Sequence, residues 1–140
     1  MKSSYAYILA ALLGYVCAHT IKYFIQPCSK RSLKQFFGTG SFPSSHTAVV
    51  VALITAIFVH EGVSDLFAVA GAFAAITVYD AVSSRRSIGE QGSALTRLIK
   101  KLTPDEKVPY VAIGHTFTEV VAGAVLGALI GAIVALFITI

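Results

Sequence analysis

Two histidines and one glutamate are the residues of this chain best suited to chemistry. His46 closes the stretch Pro43-Ser44-Ser45-His46 and opens an apolar run, while His115 stands four residues before Glu119 at the start of another. Proline favours a helix start, serines cap it, and first-turn N–H groups lack carbonyl partners, so such an entrance can hold an anion of the phosphate type. Pro-Ser-Ser alone reads better as a plain N-cap and nothing more. A histidine beside the bound anion adds a group that gives or takes a proton near neutral pH. His115 and Glu119 share one helical face at their spacing. A carboxylate on one ring nitrogen fixes the tautomer and leaves a lone pair on the other, as a nucleophilic histidine requires. The same pair also fits a hydrogen-bonded helix start, or a metal site completed by Asp80 or His46. The metal ranks lower, because Lys22, Arg85 and Arg86 repel a cation and already supply positive charge.

These residues need elements that bring them together, and the composition says which kind. The chain has 140 residues, 56% hydrophobic and 13% charged, with mean hydropathy +0.76. That balance belongs to an integral membrane protein. A spanning helix takes about 20 mostly apolar residues, and residues 5–25, 44–59, 66–82 and 116–140 approach this. The expected fold is all-α: a polytopic bundle of about four transmembrane helices and one or two short interfacial helices, forming a single domain over residues 1–140. The first stretch has only Lys2 as a positive flank and no clear small-x-small cleavage site, so a retained span is favoured over a secretory signal. Cys17 and Cys28 do not form a disulfide framework and read as packing residues.

Two connections carry amphipathic segments. Leu33, Phe36 and Phe37 fall near one helical face with Lys30, Arg31 and Lys34 around the rest, before Gly38 and Gly40 end the segment. Ala94, Leu95, Leu98, Ile99 and Leu102 recur at helical spacing ahead of Pro104 and Pro109. In the last span Gly123, Gly127 and Gly131 make a small-residue stripe, suited to packing within the chain or, less readily, to a homo-oligomer.

Ionisable side chains at membrane depth are costly and need a reason. Lys22 lies near the exit of the first span, His46 at the entrance of the second, Asp80, Arg85 and Arg86 at the exit of the third, and His115 and Glu119 at the entrance of the fourth. In an up-and-down bundle all four places face one side, and the cation excess there implies an anionic ligand. The first and third connections hold most of the basic residues, which the positive-inside rule assigns to the cytoplasm. Cations recruited to bind an anion would give the same count.

At this point the residues resemble a known family. Pro-Ser-Ser-His before a membrane helix, then "GHTFTEVVAGAVLG", resemble the second and third signature motifs of the type 2 phosphatidic acid phosphatases. The chain is more similar still to their divergent branch, the acid phosphatase/vanadium-dependent haloperoxidase-related membrane proteins. The similarity runs over a lysine late in the first helix and over residues 39–46, 79–86 and 114–123. It departs where Glu119 stands for aspartate, Ser45 for glycine and Pro109 for an arginine six residues before the second histidine; Lys22 is followed by Ser29 and Lys30 rather than Arg-Pro. The resemblance implies a lipid-phosphate phosphatase of phospholipid metabolism with His115 as nucleophile, His46 as acid/base and Glu119 as orienter. Lys22, Ser44, Ser45, Gly114, Asp80, Arg85 and Arg86 would bind substrate, the two arginines standing in for the missing one. No metal, other cofactor or nucleic-acid partner is expected. Two rivals stay open: a non-catalytic protein binding anionic lipid, and a metal-dependent hydrolase built on Asp80, His115 and Glu119.

Overall fold

The computed structural model describes residues 2–25, 42–108 and 111–139. Five helices are present among them: α1 (Lys2–Ile25), α2 (Ser45–Glu61), α3 (Asp65–Val82), α4 (Ser84–Leu102) and α5 (Phe117–Thr139). The chain is an all-α, polytopic membrane bundle with no sheet among the described residues. Three of the helical runs are long and apolar enough to cross a membrane, with α3 continuing into α4, and α2 is apolar but shorter at 17 residues. At about 1.5 Å per residue α2 reaches roughly 25 Å, less than the ~30 Å hydrocarbon layer. The expected segment at Leu33, Phe36 and Phe37, its Lys30, Arg31 and Lys34, and Cys28 lie outside the described residues.

The short helix is the centre of the bundle. α2 packs on α1, α3 and α5, and α1 also meets α5. Small residues allow this. A Cβ on Gly127 would fall 3.0 Å from the Ala52 nitrogen, one on Gly131 2.9 Å from the Thr55 Cβ, and one on Gly123 3.2 Å from the Thr47 Cβ. The close approach that the stripe permits is therefore made within the chain, against α2. Backbones this near gain dispersion contacts that larger side chains would forbid.

The two ends of the bundle differ in chemistry. Away from the histidines, Ala6, Tyr7, Ala10, Ala52, Ala56, Ile57, Val134 and Ala135 form a buried apolar core. Beyond it the Tyr7 hydroxyl donates to Glu61 Oε1 at 2.6 Å, and the Ser64 hydroxyl donates to Glu61 Oε2 at 3.1 Å. This clamps α1, α2 and the start of α3. Outward faces of α1, α3 and α5 carry exposed Ile8, Leu12, Val69, Ile76, Leu129 and Phe137, the surface that a bilayer covers.

The surface helix is longer than its sequence pattern implies. Its apolar spacing begins at Ala94, yet α4 starts at Ser84, directly after α3. Gly89 and Gly92 weaken helix propensity by about 1 kcal/mol each relative to alanine. Tertiary contact overrides this: a Cβ on Gly89 would fall 2.8 Å from the Ile113 Cα, and one on Gly92 would meet Val111. α4 thus packs along the segment that leads to His115.

Candidate active site

The Pro-Ser-Ser-His stretch does begin a helix. Ser44 is the N-cap of α2, with extended backbone, and its hydroxyl accepts from the Thr47 N–H at 3.4 Å and from the Thr47 hydroxyl at 2.9 Å. The Ser44 N–H, expected to face a bound anion, donates instead to the Glu119 carbonyl at 2.9 Å. Ser44 is fully buried and joins the start of α2 to the first turn of α5. It positions the site from behind.

Ser45 and Lys22 face the site itself. Lys22 Nζ donates to the Ser45 hydroxyl at 3.1 Å, and Lys22 is only 4% exposed. An ammonium group so far from water needs partners, and one hydroxyl leaves it donors for an anion.

His115 is held from two directions. Its N–H donates to the Ala81 carbonyl at the end of α3, 3.1 Å away, and its ring Nδ1 lies 3.1 Å from Glu119 Oε2. The same carboxylate oxygen accepts from the Thr116 N–H at 2.9 Å. With Nδ1 as donor to the carboxylate, Nε2 carries the lone pair. Burial lowers the His115 pKa from its ordinary 6.5; the Glu119 hydrogen bond opposes this, while the Lys22 and Arg85 charges add to it. The imidazole is consequently neutral at pH 7, the form a nucleophile needs.

The two histidines meet. Their ring centroids are 6.5 Å apart, inclined by 60°. Both line a cavity of about 370 Å³ with Tyr15, His19 and Lys22 of α1, Ser45, Val49 and Val50 of α2, and Phe73 and Thr77 of α3. Both also line a smaller cavity of about 190 Å³ with Arg85, Ile88, Ala112, Ile113 and Gly114. The pair is shared by both cavities, the larger bounded also by Lys22 and the smaller by Arg85.

The remaining expected residues separate. Arg85 Nε pairs with Asp80 Oδ2 at 2.6 Å, so Asp80 aims the guanidinium beside the smaller cavity. Arg86 turns away, its Nε 3.1 Å from Glu90 Oε1 on the exposed face of α4, and it lines neither cavity. Gly114 lines the smaller cavity and backs onto α4, where a Cβ would come 2.6 Å from the Arg86 Cα. Among the described residues no three His, Cys, Asp or Glu side chains are placed to share a metal ion. Pro109 lies outside those residues.

His19 is the residue that sequence reasoning missed. It is 4% exposed and sits one turn before Lys22 on the same face of α1. The signal was present: a second ionisable side chain three residues from Lys22 inside an apolar span.

The family model described as Divergent PAP2 family matches residues 4–130. An uncharacterised membrane protein of Bacillus subtilis strain 168, YuiD, is 40% identical over 95 residues, covering 66% of this chain and 60% of that protein. The match thus spans less than two thirds of the relative's length. No solved structure matches the chain.

Proposed function

The chain belongs to the divergent PAP2 family, and on that basis we propose that it is a membrane lipid-phosphate phosphatase working through a phosphohistidine. The observation that carries the reading is the facing pair His46 and His115, the latter oriented by Glu119, with Lys22 and Arg85 beside them. A phosphomonoester or diphosphate headgroup enters from the bilayer between the two rings. His46, protonated on taking the proton of the incoming phosphate monoanion, gives it to the leaving oxygen as His115 Nε2 attacks phosphorus. The P–O bond breaks, a P–N bond forms, and the lipid alcohol departs. Water, deprotonated by His46, then displaces His115 and releases inorganic phosphate. Lys22 and Arg85 stabilise the charge spread over the phosphoryl oxygens.

Ser45 and Asp80 serve this indirectly, by holding Lys22 and aiming Arg85. The chemistry uses no metal in this proposal, and the excess of basic residues in the first and third connections supports a site on the cytoplasmic side. The test is a panel of lipid phosphates assayed in detergent with wild type and His115→Ala, with and without chelator and with vanadate. Expected is hydrolysis that resists chelator, is inhibited by vanadate and disappears in the variant. Hydrolysis retained by His115→Ala sinks the nucleophile assignment. Activity lost to chelator favours a metal-dependent hydrolase, and no hydrolysis of any lipid phosphate favours a protein that only binds anionic lipid.

A further inference from the structure

The second half of α4 leaves both its leucines and its charges without a counterpart in the chain. Ile88, Leu95, Leu98 and Leu102 fall on one stripe of the helix, which turns about 100° per residue. They are between 57% and 78% exposed. α4 packs on the rest of the chain by a different side, where Gly89 and Gly92 meet Ile113 and Val111, about a quarter turn from the stripe. Arg97, Lys100 and Lys101 stand exposed on the remaining surface. The two cations at the start of α4 are occupied, Arg85 by Asp80 and Arg86 by Glu90, whereas no carboxylate among the described residues pairs with these three.

What covers that face follows from where α4 begins. One residue, Ser83, separates it from the spanning helix α3, and residues 111–114 beside it lead into the spanning helix α5. α4 therefore starts at the level where the bilayer ends. A helix at that level, with leucines on one side and lysines and arginines around the rest, lies in the headgroup region with its apolar side toward the acyl chains. Cations without a carboxylate partner favour negative charge there, and each basic group near an anionic lipid surface raises occupancy about 5-fold. We propose that α4 is a docking surface for anionic phospholipid headgroups, seated on the bilayer through Leu95, Leu98 and Leu102 and held by Arg97, Lys100 and Lys101. The contact reaches the facing histidines. Gly89 and Gly92 leave no space between α4 and the segment that ends at His115, so seating α4 fixes that segment. Turnover then depends on the surrounding lipid as well as on the substrate, and this second step alone rests on the phosphatase reading.

The test uses the full chain reconstituted in symmetric vesicles, with both native cysteines replaced and Leu98→Cys carrying an environment-sensitive fluorophore. The vesicles are phosphatidylcholine alone or an equal mixture with phosphatidylglycerol, each with spin-labelled phosphatidylcholine as quencher. At low ionic strength the label should be quenched roughly 3-fold more in the anionic vesicles, and the difference should vanish near 1 M salt, where the Debye length is about 3 Å. A label on Glu90→Cys, away from the stripe, should stay in water in both. Arg97→Gln, Lys100→Gln and Lys101→Gln together should remove the anionic preference of the Leu98→Cys label. Equal quenching in the two vesicle types overturns the proposal; so does an apolar emission without quenching, the mark of a protein partner or a second copy on the stripe. Turnover of a short-chain lipid phosphate is read in the same vesicles. Wild type should be severalfold faster with phosphatidylglycerol, and the triple variant should run at the neutral-vesicle rate in both; equal wild-type rates overturn the link to His115. If neither vesicle type supports hydrolysis, the phosphatase reading has failed, and the quenching still decides the docking.

Discussion

One oxygen of Glu119 accepts from the Thr116 N–H and bonds the His115 ring, so the carboxylate orders its own helix start while it sets the tautomer of His115. Glu119→Gln keeps the size but can present an amide N–H to Nδ1, which favours the wrong tautomer. Its kcat should fall by about 10²–10⁴, the scale of the corresponding change in a serine protease triad. The pH profile gives an independent reading. Burial holds the His115 pKa below its ordinary 6.5, so the acid limb of kcat/KM should lie below that pH. Glu119 acts to raise this pKa, and its removal should move the limb lower still in whatever activity remains; a limb moving upward would contradict the assignment. Ser45 makes a different prediction. It carries the hydroxyl that holds Lys22, so Ser45→Gly should raise KM about 5- to 10-fold with a smaller change in kcat, since a charge-assisted bond contributes about 1.5–3 kcal/mol and part is recovered from substrate. Steady-state kinetics on one lipid phosphate checks it. His46, His115 and Lys22 were legible from sequence because ionisable groups stand out in apolar runs. The use of the Ser44 N–H was not, since a backbone bond to Glu119 is created only when α2 and α5 pack.

At the scale of elements, the spans were legible almost to the residue, because hydrophobic length decides them, whereas α4 was legible only in its second half. The glycines that argue against a helix over 84–93 are there for contact with residues 111–114, which no local pattern reveals. Gly114 shows what that contact does for the site. It precedes His115 and touches the backbone of Arg85 and Arg86, so α4 and the His115 segment must move together. Gly114→Ala puts a methyl group against that backbone and should displace His115 by a fraction of an ångström or more. An activity loss on the order of 100-fold is expected, the usual result of a misplacement near 1 Å, with the helical circular dichroism unchanged. Wild-type turnover in this variant would mean that the two segments adjust independently.

Seen as one molecule, the chain keeps its apolar core at one end and its ionisable cluster at the other. That polarity was readable from the order of charges along the sequence, because alternate connections of an up-and-down bundle share a side. With both native cysteines replaced, a single cysteine at Ser84 should react with an impermeant maleimide only from the cytoplasmic face, and one at Val63 only from the opposite face; the reverse pattern inverts the proposed orientation. The central place of α2 has a further consequence for how the protein is made. His46 leaves the ribosome long before His115, and the helix bearing it is too short to match the bilayer on its own and is lined with small residues meant for a partner. Until α5 arrives, the nascent chain holds His46 without the facing His115, and an N-cap whose backbone bond to Glu119 does not yet exist. Completion of the pocket is therefore tied to insertion of the last helix, which in the proposed phosphatase withholds phosphoryl chemistry from every incomplete chain.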